Sequence, residues 1–147
     1  MLFLVAIATQ AASVMPWPNR TWLPPPWVLL TASYLFLLAF AVANWKLFGM
    51  ACIAAGIVMN AVAIGANHGM PTRTPAGHTP IERTVKHRPA ADGDHFPWLT
   101  DTIWLSRPVS SMVSAGDIAI SLGVCGVAFA VTRRRSDELD RAPTSET

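Results

Sequence analysis

The chain reads as an all-α, polytopic membrane helical bundle: four transmembrane helices with one long outer loop carrying a short interfacial helix. Three observations lead there. Of the 147 residues 52% are hydrophobic and only 14% charged, against about 25% charged in soluble domains. The charges are segregated, nearly all of them lying in one loop and one tail, which is the pattern of a membrane chain. Apolar runs at about 1–17, 27–45, 47–66 and 113–132 account for most of the rest. A span needs about 20 residues to cross roughly 30 Å of hydrocarbon. Residues 1–132 are thus expected to form the membrane domain, with 67–112 as its outer loop and 133–147 as a disordered cytoplasmic tail.

The first run is short for a span, yet no Lys or Arg precedes Arg20, so it lacks the basic start of a signal peptide and is read as a membrane helix. Pro16 to Pro26 holds five prolines and forms a stiff interfacial connection. The second run, Trp27 to Trp45, is bracketed by tryptophans, whose rings favour the headgroup level. Asn44, Trp45 and Lys46 leave almost no loop before the third run, so these two helices form an antiparallel hairpin. Within the third run Cys52 and Gly56 are small residues four apart, which lets a neighbouring helix approach. Asn60 and Asn67 lie seven apart, on one face, and an Asn in lipid hydrogen-bonds to another helix.

At Asn67-His68-Gly69-Met70-Pro71 the apolar run turns into the long polar loop. Gly69 permits positive φ and Pro71 drives Met70 out of helical conformation, so this is a turn that folds the chain back over the helix ends. No periodicity is visible through Asp94, and this part is expected to be irregular. Phe96, Pro97, Trp98, Leu99, Ile103, Trp104 and Leu105 are too apolar for a solvated loop. Asp94 is placed to cap a short helix there, and 97–105 is expected at the interface or against the bundle.

The last run carries Gly116, Ala119, Gly123, Cys125 and Gly126, a small-residue surface for close packing. Ser114 is placed to cap it, with Asp117 three residues on at the favourable end of the helix dipole. Arg133, Arg134 and Arg135 are expected to end it, and the positive-inside rule puts them in the cytoplasm. Counting back through four spans puts the N-terminus inside as well.

Asn67-x-Gly69-Met70-Pro71, Trp98-Leu99-x-Asp101 and Ser114-x-Gly116-Asp117, in that order and spacing, resemble a bacterial family of small polytopic membrane proteins catalogued only as a domain of unknown function. The resemblance covers about Leu29 to Val131. It implies a membrane location and a polar cluster at one face, and it implies no reaction. Members of that family usually carry a further apolar segment before the first one here, so the chain looks shortened at its N-terminus.

The candidate site is that polar cluster: Asn67, His68, Asp101, Ser114 and Asp117, with Gly69, Met70 and Pro71 as the turn that brings them together. An acid near the hydrocarbon boundary invites a proton, cation or headgroup role. The structural alternative is that Asp117 caps its helix and Asn67 bonds the loop backbone. His68, His78, His87 and His95 are spaced ten, nine and eight apart, which puts no two on one helical face, so no metal or other cofactor is expected. No GxSxG, phosphate loop or Cys-His nucleophile pattern occurs, and no enzyme is inferred. The formal charge of +2 gives no basic stripe for nucleic acid. Besides the lipid bilayer, the partners expected are a membrane protein or a second copy. Two functions follow: a structural or accessory interaction subunit at the plasma membrane, or a small transporter or membrane enzyme using the polar cluster.

Overall fold

The computed structural model describes residues 1–14, 24–76, 84, 86–106 and 111–141. Four helices carry the chain: α1 (Leu2–Val14), α2 (Pro26–Ala43), α3 (Met50–Asn67) and α4 (Ala115–Arg141). The extensive helix contacts run α1 on α2, α2 on α3 and α3 on α4, so the helices form an open row. Of these, α2, α3 and the Ala115–Ser136 part of α4 are long and apolar enough to cross a membrane. α1 has 13 residues, below the about 17 a span requires. Among the described residues, therefore, three helices rather than four have the length to span.

Pro25 and Pro26 open α2, where a missing N–H costs nothing and the fixed φ suits the first turn. Polar residues inside the apolar helices are satisfied locally: Thr31 donates to the Trp27 carbonyl at 2.9 Å and Ser33 to the Leu30 carbonyl at 2.7 Å. The α2–α3 connection is a tight turn, and α3 starts at Met50 rather than Leu47, because Gly49 holds φ +94° just before it. Leu30, Tyr34 and Ala41 of α2 pack with Met50, Ile57, Ala63 and Ile64 of α3 as the core.

α3 and α4 run antiparallel and touch backbone to backbone at two levels. A Cβ on Gly116 would lie 2.2 Å from Asn60 Oδ1 and 2.8 Å from the Gly56 carbonyl, and one on Gly123 would lie 2.6 Å from the Gly49 carbonyl. On each helix the two glycines are seven residues apart, two turns, which keeps both contacts on one face. Of the Cys52/Gly56 pair expected from the sequence to admit a neighbouring helix, Gly56 makes the close contact and Cys52 does not. Cys52 and Cys125 are both exposed, because the Gly49–Gly56 face turns toward α4 and carries the cysteine away from the contact.

α4 does not stop at the arginine triplet but continues to Arg141. Arg is a good helix former, and nothing between Arg133 and Arg141 breaks a helix before Pro143.

The loop is more regular than its sequence suggests. At the end of α3, His68 takes a left-handed conformation and Gly69 φ +140°; the N–H groups of both point to the Ile64 carbonyl, closing the helix. β1 (Met70–Thr72) follows and pairs in parallel with β2 (His87–Pro89), with Met70 opposite His87. On its other edge β1 bridges to Asp101 through Thr72. β3 (Ile103–Leu105) and β4 (Ser111–Val113) form an antiparallel pair leading into α4. The short interfacial helix shrinks to one 3-10 turn, Pro97–Leu99, capped by Phe96 rather than Asp94. Leu99 packs on the core, whereas Phe96, Trp98, Ile103 and Leu105 stay exposed.

Candidate functional site

Three helices deliver a polar residue to the level where the loop folds over them. Ser114 precedes α4 and its Oγ accepts the Asp117 N–H at 3.0 Å, while the Ser114 N–H donates to Asp117 Oδ2 at 3.1 Å. This is a reciprocal capping box with Asp in the third position. Asn60 of α3 completes it: its Nδ2 donates to Asp117 Oδ1 at 2.8 Å and its Oδ1 accepts the Ser114 hydroxyl at 2.9 Å. Tyr34 of α2, buried in the core, lies near Asn60 and Asp117 and faces the Lys86 and Asp101 side of the loop. An amide, a hydroxyl and a carboxylate thereby satisfy one another where water is scarce, which is the condition for polar groups among apolar helices.

The loop contributes Asp101, fully buried at 0% exposure. Its backbone is tied to β1, accepting the Arg73 N–H at 3.1 Å and donating to the Pro71 carbonyl at 3.0 Å. Its carboxylate is another matter. His87 Nε2 stands 3.2 Å from Oδ2, but the approach is off the hydrogen-bonding direction, and among the described residues neither carboxylate oxygen has a hydrogen-bond partner. A buried carboxylate in that state is costly by several kcal/mol. His87 itself is fixed by Thr84, whose Oγ1 accepts the His87 N–H at 2.9 Å and lies 3.4 Å from Nδ1.

The other predicted residues sit elsewhere. Asn67 exchanges two bonds with the backbone of His95, donating to its carbonyl at 2.9 Å and accepting its N–H at 2.8 Å; it fastens the loop to α3. Asp117 is bonded by Asn60 instead, two turns earlier on the same helix. His68 lies against Trp27, ring centroids 4.6 Å apart and edge to face. Gly69, Met70 and Pro71 form the fold-back turn, with Met70 and Pro71 buried over the helix ends. Tyr34, Lys86 and His87 had no place in the sequence reading of the cluster; the one signal available was Tyr34, the chain's sole tyrosine, in the middle of an apolar run.

The loop has its own clamp. Arg88 donates from Nε to the Asn67 carbonyl at 3.0 Å and pairs through its guanidinium with Asp94, which also accepts the Ala91 N–H at 2.8 Å. Burial pushes the Asp94 carboxyl up, but the Arg88 hydrogen bond, the Ala91 N–H and the Arg88 charge outweigh it and hold it below the usual carboxylate range. A carboxyl depressed in the folded state stabilises above its unfolded value near 3.9 and stops doing so as pH falls through the folded value. Protease protection of 86–101 in detergent is expected to be constant from pH 8 to 5 and to fall below about pH 4, and Asp94→Asn to lower the protection at pH 7 and remove most of that dependence. Equal protection of both proteins at every pH would refute the clamp.

Beneath the cluster, an apolar cavity of about 440 Å³ opens between α2 and α4 over α3. Leu37, Ile57 and Ile120 line its upper end, each three residues from Tyr34, Asn60 and Asp117 respectively. α2, α3 and α4 thus each present a polar residue to the cluster and, one turn away, an apolar one to the cavity. Among the described residues no group of His, Cys, Asp and Glu is disposed to hold a metal.

Fold and site together define a small array of apolar helices, three of them of membrane-crossing length, with a loop folded over a polar cluster at one end. The chain belongs to the family of unknown function DUF5317, whose model matches residues 1–129. No curated protein and no solved structure matches it.

Proposed function

We propose that the protein is an integral membrane protein, with the arginine triplet and the C-terminus in the cytoplasm and the loop outside, that binds a small amphiphile from the bilayer: tail in the apolar cavity, polar head at the Tyr34–Asn60–Asp117–Asp101 cluster. The observation that carries this is Asp101, a fully buried carboxylate whose oxygens have no hydrogen-bond partner among the described residues, with His87 Nε2 3.2 Å from Oδ2; it lies near Tyr34, and Leu37, one turn on from Tyr34, lines the cavity. A cavity of about 440 Å³ falls within the roughly 300–1,000 Å³ of small-molecule sites, which are apolar with few polar groups. The accessory-subunit reading rested on small-residue helix faces free for partners, and Gly49, Gly56, Gly116 and Gly123 are used within the chain.

Mass spectrometry of the full chain released from mild detergent tests the binding. A bound amphiphile is expected in the native protein, lost when Ile57→Trp fills the cavity and weakened in Asp101→Asn. A stoichiometric protein partner with no bound small molecule would instead make this an accessory subunit. For orientation, cysteines at Gly93 and Ser136 in a background lacking Cys52 and Cys125 are expected to react with an impermeant reagent from opposite sides; reaction of both in intact cells would overturn the topology.

A further inference from the structure

At the opposite end of the helices from the polar cluster, the turn between α2 and α3 meets α4. Phe48 lies against Gly126, its Cε1 3.2 Å from where a Cβ would be, and the Gly49–Gly123 contact locks the same turn one level further in. Lys46, on that turn, and Arg134, on α4, flank a cavity of about 110 Å³ whose remaining wall is apolar, including Leu47, Phe48 and Val131. The two cations come from separate elements and are set relative to each other by backbone contacts. Trp45, 69% exposed on the same turn, marks the level where amphipathic rings sit in a bilayer.

A pocket of that volume admits a phosphate and the first atoms of its esters but no helix. Two cations at its rim select an anion, and an apolar wall continuous with the helix surface selects one that carries hydrocarbon. We propose that Lys46 and Arg134 form a binding site for the phosphate of an anionic phospholipid, whose acyl chains run along α4 past Phe48 and Val131. Basic pockets between spanning helices bind anionic headgroups in this way. The site is independent of the amphiphile site at the other end and stands whether or not that one is occupied.

The test uses the full chain reconstituted in nanodiscs of phosphatidylcholine with a minor share of phosphatidylglycerol, with lipid retained on transfer to detergent counted by mass spectrometry. Phosphatidylglycerol is expected to be enriched over phosphatidylcholine. Each neutralisation, Lys46→Gln or Arg134→Gln, is expected to lower that enrichment about fivefold, the roughly 1 kcal/mol per basic residue near an anionic surface, and Arg134→Lys to keep most of it. Arg133→Gln, which alters the same triplet away from the cavity, is the control. An equal loss there would mean diffuse surface charge and no site. Enrichment unchanged in the doubly neutralised protein, checked as monodisperse and helical, would overturn the proposal. Competition by millimolar inorganic phosphate as effective as by the lipid would make the ligand a free anion and overturn the lipid assignment.

Discussion

Gly116→Ala is expected to cost about 3 kcal/mol, and Gly116→Leu to leave no folded protein recoverable in mild detergent. Overpacking a tight interior costs about 1–3 kcal/mol where neighbours can shift, and here they have little room. The new Cβ would meet Asn60 Oδ1 at 2.2 Å and the Gly56 carbonyl at 2.8 Å, one a side chain held by two hydrogen bonds and the other backbone. Forcing α4 away would break the Asn60 bonds to Asp117 and Ser114 as well. Gly65→Ala is the matched contrast: its Cβ would meet only Thr31 at 3.8 Å, ordinary contact, so the gain in helix propensity of up to about 1 kcal/mol remains. Melting of both variants in the same detergent decides the matter, and equal stability would mean that α3 and α4 do not touch backbone to backbone.

The second large effect concerns the interhelical bond. Asp117→Leu is expected to lose about 2 kcal/mol, since Asn60 Nδ2 and the Ser114 N–H both lose their acceptor where water is scarce. Asp117→Asn is expected to lose about half as much. Both carboxylate oxygens accept in the native protein, and an amide accepts through only one. Combining Asn60→Ala with Asp117→Ala should give a coupling of about 0.5–1.7 kcal/mol, the span measured for hydrogen bonds between membrane helices. Additive losses would show that the two side chains do not bond.

The three long helices were legible because length and apolarity alone specify them, and so was Ser114–Asp117, whose spacing is a local capping pattern. The turn at Gly69–Pro71 was equally local. Asn60 could be assigned to another helix as a polar residue within an apolar run, although its partner could not. The rest depended on pairings between distant segments. Nothing in the spacing of His87 and Asp101 foretells that β1 lies between their strands, and three-residue strands leave no periodicity to read. Asn67 was drawn toward Asp117 by a shared helix end, but the loop backbone at His95 reaches it first. The sequence also marks the arginine triplet as an ending, while helix propensity carries α4 eight residues beyond Arg133.

The glycine contacts also set an order of events during synthesis. α3 and α4 are separated by 47 residues, from His68 to Ser114, and at about 5–20 residues per second a ribosome needs several seconds to cover them. For that interval α3 is complete while its tightest neighbour does not exist, and Asn60 waits among apolar groups without Asp117 or Ser114. Tyr34 is already made by then, and it is the polar side chain that α2 places near the same amide. The α2–α3 hairpin is therefore the first unit that can settle, with the tyrosine as interim partner, and the arrival of α4 replaces a provisional contact by the permanent one. A chain lacking the tyrosine hydroxyl is expected to reach the same final fold but to be degraded more often on the way, a defect visible in pulse-chase yield and invisible in the melting of what survives.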